Sequence, residues 1–395
     1  MKYVSKKSSW MMWLVPTAFY ALVFMLRVAP GILKSDIMNY YQLDNFKFSL
    51  IPAFYYAGYA SMQIPVSFYM DRFKLHKVIA LLIFATGVGV MLLSRSCWFP
   101  LALLGCFIIG TGNTVGVLGS SNIVNTNFSQ KSYSFVFGLT LTAGLLAATC
   151  AGKIISTVAQ HFNWQATYSI VAGICLVLTV AALVLIKTPK GNKKVRVSLP
   201  STVSFIFKNK FVILVSIFSG FLTSPVQGFA DVWGPGFLSD NLGFEKSTAI
   251  SLNSLCFLGY GIGAPIIGKL AQKYNVLRKS LIACGAVMLF SFLIILFVPN
   301  LNSTTVGVLL FLGGVGSAFP PLTFAIVLHN TRKELNNVAI GISNMTLMLF
   351  GSIYHIFIGL FYKASPLLGI SIVPIGLIIG TIGTILLFRK KIVNV

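Results

Sequence analysis

Charge is what this 395-residue sequence has least of: Asp, Glu, Lys and Arg make up only 9% of it, whereas 56% of its residues are hydrophobic. A soluble domain carries roughly 25% charged residues, so the composition excludes a soluble globular protein. Acidic residues are the scarcest, since seven Asp and Glu stand against 30 Lys and Arg, and the formal net charge is +23. In a soluble chain such an excess would indicate nucleic-acid binding.

Cysteine and histidine are also few, with six and four residues. No two cysteines have the spacing of a metal site, and most of them lie in apolar stretches, where cysteine behaves as a small apolar residue. There is no nucleophile–base–orienter set and no phosphate-cradling lysine loop. We therefore expect no enzymatic activity, no cofactor, no metal and no direct use of ATP. We also expect no cleavable signal peptide, because the first apolar span is too long for one.

What the sequence does contain is a series of twelve apolar runs, each about as long as a helix needs to cross a bilayer. They cover roughly 10–33, 47–70, 77–95, 98–122, 132–157, 164–186, 211–238, 246–270, 280–298, 303–328, 336–362 and 366–388. This pattern predicts an all-α membrane protein with twelve transmembrane helices, numbered below as spans 1–12. A short polar turn is expected between spans 1 and 2.

The basic residues are distributed unevenly among the loops that connect these spans. All but seven of the 30 Lys and Arg lie at alternate loop ends, and the exceptions are Arg27, Lys34, Lys47, Arg95, Lys153, Lys246 and Lys363. Such asymmetry is typical of cytoplasmic loops. It predicts a multi-pass protein of the bacterial inner membrane with both termini cytoplasmic. The net positive charge then reflects the orientation of the protein in the lipid bilayer and not the binding of nucleic acid.

The chain divides into two similar halves. A basic, polar stretch at 187–210 separates six spans at 1–186 from six spans at 211–395, and Gly58-Tyr59 in span 2 recurs as Gly259-Tyr260 in span 8. A repeated six-helix unit predicts two pseudo-symmetric bundles around a central cavity, with a binding site near the middle of the membrane.

Two loop segments resemble a known family. Ser67-Phe-Tyr-Met-Asp71-Arg72-Phe-Lys74-Leu-His76-Lys77 is similar to the G-x-x-x-D-R-x-G-R-K motif after the second helix of the major facilitator superfamily, and Gly268–Lys279 looks like its second-half copy. Ser67 and Lys74 replace glycines of the motif, and Gln272 replaces its acid. The resemblance implies a twelve-helix secondary transporter that is a monomer.

The resemblance also implies a cytoplasmic gate formed by Asp71, Arg72, Gln272 and Lys273. In the family, this aspartate is thought to hold the inner gate through an ion pair and a helix N-terminus, where a carboxylate is stabilised. Asp71 would then dock near residues 336–337. The alternative is that Asp71 only balances neighbouring basic residues.

Arg27 is the sharpest single signal because it lies within span 1, where an arginine costs about 2.5–3.5 kcal/mol on insertion scales. A guanidinium presents a planar fork of donors that suits carboxylate or phosphate. Its position relative to Asp71 is similar to that of an arginine in family members that bind organic anions. We expect Arg27 to bind the negative group of a solute. The alternatives are a structural ion pair and a side chain that snorkels to the surface.

Asp231 in span 7 and His355 in span 11 are the candidates for carrying a coupling proton. Asp231 is the only acid placed inside a span, and intramembrane carboxylates and histidines commonly relay protons. The alternative for Asp231 is a permanent ion pair with Arg27. The alternative for His355 is a hydrogen bond to a neighbouring helix.

Other polar and aromatic residues within the spans are candidates for contacting the polar parts of a solute. The set is Tyr20, Tyr55, Tyr56, Tyr59, Gln63, Asn113, Asn122, Gln227, Trp233 and Asn344. Of these we assign substrate binding to Tyr55, Tyr59, Gln227, Trp233 and Asn344, together with Arg27. For each, the alternative is hydrogen bonding between helices, worth about 0.6 kcal/mol.

The sequence thus predicts a secondary active transporter that moves a small polar, anionic or zwitterionic solute by alternating access, coupled to protons. Drug antiporters of the family carry G-P-x-x-G-G in helix 5, whereas this chain has Ala143-Gly144-Leu-Leu-Ala-Ala, which favours uptake over drug efflux. Amino-acid or dipeptide transport, and siderophore or metabolite export, stay open. A transporter-like membrane sensor is the alternative from another class.

Overall fold

The computed structural model describes residues 6–187, 208–332 and 336–390, and none of these residues lies in a β-strand. The first seven helices are α1 (Lys6–Ile32), α2 (Lys34–Tyr41), α3 (Asn45–Arg72), α4 (Leu75–Arg95), α5 (Phe99–Asn127), α6 (Gln130–His161) and α7 (Trp164–Leu185). The later elements are α8 (Lys210–Phe221), a π-helix (Ser224–Ala230), α9 (Gly234–Asp240), α10 (Lys246–Lys273), α11 (Leu277–Phe297), α12 (Ser303–Gly316), α13 (Pro320–His329), α14 (Asn336–Tyr362) and α15 (Pro366–Lys390).

Most of these helices have the length and composition of membrane spans. Within the described residues ten segments are long and apolar enough to cross a membrane, and the bent pair of α8 and the π-helix adds an eleventh. The remaining span is α3, whose 28 residues extend about 42 Å at 1.5 Å per residue. It is less apolar than the others because Tyr55, Tyr56, Tyr59 and Gln63 lie along it. The predicted all-α membrane fold of twelve spans is confirmed.

Two predicted spans are broken rather than continuous. Span 7 consists of α8, the π-helix and α9, and span 10 is interrupted between the end of α12 at Gly316 and the start of α13 at Pro320. Proline lacks the N–H that continues a helix and clashes with the carbonyl four residues earlier, which explains a break just before Pro320. The expected short polar turn between spans 1 and 2 is wrong, because residues 34–41 form the helix α2.

Several helices begin at an asparagine cap. The side chains of Asn163, Asn209 and Asn302 each accept a hydrogen bond from the backbone N–H three residues later, at 2.7, 3.3 and 2.8 Å. These bonds satisfy N–H groups that the first turn of a helix leaves without an intrahelical partner. They fix where α7, α8 and α12 start after the preceding loops.

The chain forms two compact units. Met1–Gln42 and Phe54–Arg196 make the first unit, and Leu43–Ala53 packs with Val197–Val395 in the second. The first turns of α3 therefore belong to the second unit, where the Ser352 hydroxyl donates to the Ala53 carbonyl at 3.0 Å. Residues 188–207 of the predicted linker lie outside the described residues, and the three-part division of the chain stays a prediction.

A pair of glycines brings two helices into close contact in each unit. In the first unit, a Cβ added at Gly58 would overlap the carbonyl of Phe107, and one added at Gly110 would overlap the carbonyl of Tyr55. The helices α3 and α5 can approach this closely only because glycine has no side chain.

The second unit repeats that crossing between α10 and α12. A Cβ at Gly259 would overlap the carbonyl of Phe311, and one at Gly314 would overlap that of Cys256. Gly259 is the residue that the internal repeat pairs with Gly58. Glycine is therefore required at this position in both halves for the same reason: the backbones of two helices are in contact there, α3 with α5 in the first unit and α10 with α12 in the second.

Candidate functional site

The first unit holds a buried guanidinium. Arg27 lies near the end of α1 with 8% of its surface exposed. Its Cζ atom lies 5.2 Å from the ring centroid of Phe24 and 5.2 Å from that of Tyr56. Desolvated cation–π contacts of this kind contribute about 2 kcal/mol or more. The aromatic rings therefore offset part of the cost of keeping a cation inside an apolar helix.

The surroundings of Arg27 follow from the spacing on α1. Tyr20, Phe24 and Arg27 lie on one face of the helix, because residues four and three apart are neighbours. The rings of Tyr20 and Phe24 are 4.7 Å apart. The ring of Tyr20 also lies against Gly116 of α5 and Gly144 of α6, where an added Cβ would press into the ring. Glycine at these two positions lets α1 pack its aromatic face closely against its neighbours.

A second polar face comes from α3. Tyr55, Tyr59 and Gln63 recur every four residues and are all buried, so they share one side of the helix. The amide of Asn113 on α5 donates from Nδ2 to the Tyr55 hydroxyl at 2.7 Å. The rings of Tyr55 and Tyr56 are 5.4 Å apart. A continuous series of contacts therefore joins Asn113 to the Arg27 guanidinium within this unit.

The second unit has its own buried polar cluster, built around the break in span 7. Pro225 has no N–H to bond the carbonyl of Phe221, and that carbonyl instead accepts the hydroxyl of Tyr354 at 2.8 Å. The following backbone is π-helical, with the Asp231 N–H donating to the Val226 carbonyl at 2.9 Å. π-Helical turns inside α-helices are frequent at functional sites.

This irregular backbone carries Gln227 and Asp231. Gln227 Nε2 lies 3.8 Å from the Met348 sulfur, whereas Gln227 Oε1 has no hydrogen-bond partner among the described residues. Asp231 directly follows the π-helix and is 1% exposed. Asn253 of α10 holds this turn, since its Nδ2 donates to the Ala230 carbonyl at 2.8 Å.

Trp233 links the same turn to α14. Its Nε1 donates to His355 Nδ1 at 3.2 Å, and both residues are fully buried. Since indole can only donate, Nδ1 of His355 is the acceptor in this hydrogen bond. The Trp233 ring packs 4.8 Å from the ring of Tyr362 and 5.8 Å from that of Phe48 in the first turns of α3.

The predicted site residues are divided between the two units. Tyr55 and Tyr59 share a unit with Arg27, whereas Gln227, Trp233, Asp231 and His355 lie in the other unit. Asn344 is a half-buried residue of α14, and its assignment to substrate binding stays a prediction.

The predicted gate residues lie at helix ends. Arg72 is exposed, with its guanidinium 3.9 Å from the Phe68 ring, and Gln272 and Lys273 are exposed at the end of α10. The side chain of Asp71 and residues 336–337, where it is expected to dock, lie outside the described side chains. The gate therefore stays a prediction.

Sequence reasoning missed the residues that support the second cluster. Tyr354 and Asn253 hold backbone carbonyls that the broken span exposes, and Met348 contacts Gln227. The signal that could have found Tyr354 is Pro225, because a proline within an apolar span removes the donor to a carbonyl four residues earlier.

Apolar helices that repeat one crossing in two units, each with a buried polar cluster, are typical of polytopic membrane transporters built from internal repeats. The model of the Major Facilitator Superfamily matches residues 17–355 and 227–392. The chain belongs to this superfamily, and it is a solute transporter rather than an enzyme.

Individual relatives are distant. The chain is 23% identical over 346 residues to a nitrite extrusion protein of Bacillus subtilis, which covers 78% of this chain and 85% of the relative. Among solved structures, a bacterial homologue of the human lysosomal transporter Spinster superposes with a TM-score of 0.76 at 14% identity, covering 98% of both chains. The nucleoside transporter NupG gives a TM-score of 0.74 at 14% identity, covering 96% of this chain and 98% of its own. These structures share the fold.

Proposed function

We propose that this transporter moves a small polar solute with a negative group, anionic or zwitterionic, and that Arg27 binds that group. The observation that carries the proposal is a buried guanidinium within an apolar span, held between two aromatic rings. An intramembrane cation is costly and is typical of a substrate pathway. The fork of donors on Arg27 matches a carboxylate, a phosphate or a planar oxyanion.

A small inorganic anion is a second candidate solute. The likeness to a nitrite extrusion protein supports it, since nitrite carries the negative charge that Arg27 would recognise. Extrusion would also reverse the direction that the sequence favours, so transport has to be measured in both directions.

The second cluster suits proton coupling. Asp231 is fully buried beside a π-helical turn, and His355 accepts a hydrogen bond at Nδ1. Protonation of Nδ1 would break the bond from Trp233, because two donors cannot bond each other. A proton arriving at His355 Nδ1 would therefore remove this hydrogen bond between Trp233 and α14, whereas the ring contact of Trp233 with Tyr362 of α14 does not depend on it. We propose that Asp231 and His355 carry the coupling proton in this way.

We also propose a location for the protein and a set of residues that form its cytoplasmic gate. The alternation of basic loops supports insertion in the bacterial inner membrane with cytoplasmic termini. Asp71, Arg72, Gln272 and Lys273 would then form the cytoplasmic gate by their resemblance to the family motif.

The solute proposal is tested by transport into proteoliposomes. The panel contains carboxylates, organic phosphates, amino acids, dipeptides and nitrite, measured as uptake and as counterflow. Arg27→Gln is expected to abolish transport of the best solute, whereas Lys153→Gln, which changes an exposed cation of α6, is expected to preserve it. Normal transport by Arg27→Gln would contradict the proposal. Binding without counterflow would instead favour the sensor.

Coupling is tested separately. Asp231→Asn is expected to abolish accumulation driven by a pH gradient while solute counterflow persists, because exchange needs no net proton movement. Asp240→Asn changes an exposed acid at the end of α9 and serves as the matched control. Undiminished pH-driven accumulation by Asp231→Asn would show that the coupling proton is carried elsewhere.

A further inference from the structure

Asn113 is a buried residue of α5 whose position is fixed by contacts with α3. It is 1% exposed, in the middle of α5. Its Nδ2 donates to the Tyr55 hydroxyl at 2.7 Å. The glycine contact at Gly110 holds the backbones of α3 and α5 together one turn away. The direction in which the amide points is therefore set by the helix crossing and by Tyr55.

The carbonyl oxygen of this amide differs from the hydroxyl groups that lie nearest to it along α5. Asn113 Oδ1 has no hydrogen-bond partner among the described residues. The neighbouring hydroxyls are satisfied locally, since Thr111 donates to the Phe107 carbonyl at 3.0 Å and Thr114 donates to the Thr111 carbonyl at 2.7 Å. A buried acceptor without a partner is costly, and a ligand that supplies a donor recovers that cost on binding.

Asn113 also belongs to the same cluster as the proposed anion site. Tyr55, to which it is bonded, packs its ring 5.4 Å from that of Tyr56, and the Arg27 guanidinium lies 5.2 Å from the Tyr56 ring. One group of side chains thus presents a cation for a negative group and a carbonyl oxygen for a hydrogen-bond donor.

We propose that Asn113 Oδ1 is a specificity-determining group that accepts a hydrogen bond from an O–H or N–H of the solute. This inference rests on the proposed anion site and narrows its substrate class to anions that carry a donor, such as hydroxy- and amino-carboxylates or hydroxylated phosphate esters. A site built to bond a donor discriminates strongly against the analogue that lacks it, because its own polar group is then left unpaired.

The test uses solutes that differ in whether they carry a donor; lactate and propionate have the same charge, whereas the ammonium group of alanine also adds a positive charge. Propionate, lactate and alanine share a three-carbon carboxylate with hydrogen, hydroxyl or ammonium at the second carbon, and propyl phosphate and glycerol 3-phosphate form a phosphate pair. Dissociation constants are measured on the purified protein from the ligand dependence of its unfolding temperature. We expect at least one donor-bearing member to bind about tenfold or more tightly than its donor-free analogue.

Variants then assign this preference to Asn113. Asn113→Leu, of similar size, should bring the ratio of the two dissociation constants to about one while propionate or propyl phosphate binds as before. Tyr55→Phe keeps the amide but removes the bond that orients it, and should lower the ratio partly. Ser120→Ala, at another buried α5 position without a hydrogen-bond partner for its hydroxyl among the described residues, should leave the ratio unchanged.

The outcomes separate the two proposals. Equal affinities within each series in the wild type, or an unchanged ratio in both Asn113→Leu and Tyr55→Phe, would overturn the role of Asn113. If the donor-free anions still bind and lose affinity in Arg27→Gln, the anion site stands alone. Failure of every probe to bind the wild type would overturn both.

Discussion

The glycine crossing of α3 and α5 allows a substitution whose effect can be worked out from the structure. A Cβ added at Gly110 would overlap the carbonyl oxygen of Tyr55 and would lie 2.8 Å from the carbonyl carbon of the same residue. It would also lie 3.0 Å from the backbone nitrogen of Tyr59. These atoms are backbone, so the two helices have to move apart. We expect Gly110→Ala to destabilise the protein by about 1–3 kcal/mol, the usual cost of overpacking.

The same displacement should weaken the bond between Asn113 and Tyr55, adding about 0.6 kcal/mol. The assay is denaturant unfolding of the purified protein in detergent micelles. Gly138→Ala in α6 is the matched control, because nothing lies within 4 Å of its added Cβ. It should leave the stability unchanged or raise it by up to about 1 kcal/mol, since alanine favours a helix interior over glycine. Equal stability of the two variants would refute the inference that backbone contact at Gly110 joins these helices.

Three further outcomes are expected. Gly314→Ala should destabilise the protein by a similar amount, because its Cβ would overlap the Cys256 carbonyl; unchanged unfolding would contradict the repeated crossing. Tyr354→Phe should cost about 1 kcal/mol, because it leaves the Phe221 carbonyl with only the longer bond from the Ser224 hydroxyl, at 3.3 Å. The cost should be smaller in a Pro225→Ala background that restores a backbone donor, and a double-mutant cycle without coupling would argue against that exchange. Burial raises the pKa of Tyr41 to about 12 from 10.0. As the pH rises, Tyr41 therefore ionises in the unfolded chain before it ionises in the folded protein, and the free energy of unfolding of the wild type should fall between pH 10 and 12. The fall should be smaller in Tyr41→Phe, and an equal fall in both proteins would contradict this.

The sequence predicted the membrane architecture well because each part of that prediction depends on local composition. Apolar runs of fixed length must be helical in a bilayer, since the backbone can then satisfy its own hydrogen bonds. The repeat of Gly58 as Gly259 was visible as a spacing. The reason for glycine became visible only when the carbonyls of Phe107 and Phe311 were seen opposite these two positions.

The candidate site was harder to predict because its details depend on contacts between distant parts of the chain. Arg27 was recognisable from its cost in an apolar span, but its aromatic partner Tyr56 could not be read from spacing. His355 was predicted as a polar group, whereas its bond from Trp233 depends on how a broken span packs against α14. The π-helix was missed because it arises from Pro225 together with a hydroxyl, that of Tyr354, far along the chain.

The helix α2 was missed for a different reason. Its eight residues, Lys34–Tyr41, have no long apolar run, and its one buried residue is Ile37. Short helices are marginal by themselves and form through tertiary contacts. Here the Tyr41 hydroxyl donates to the Leu93 carbonyl at 2.6 Å, a contact that sequence spacing does not reveal.

We propose above all that the buried guanidinium of Arg27 binds the negative group of the solute. The most direct test is the dissociation constant of the best anion for the purified wild type, Arg27→Lys and Arg27→Gln at one pH and ionic strength. We expect the affinity to be roughly tenfold weaker for Arg27→Lys, which keeps the charge without the fork, and at least about thirtyfold weaker for Arg27→Gln. Equal affinity of the wild type and Arg27→Gln, with both proteins folded, would contradict it.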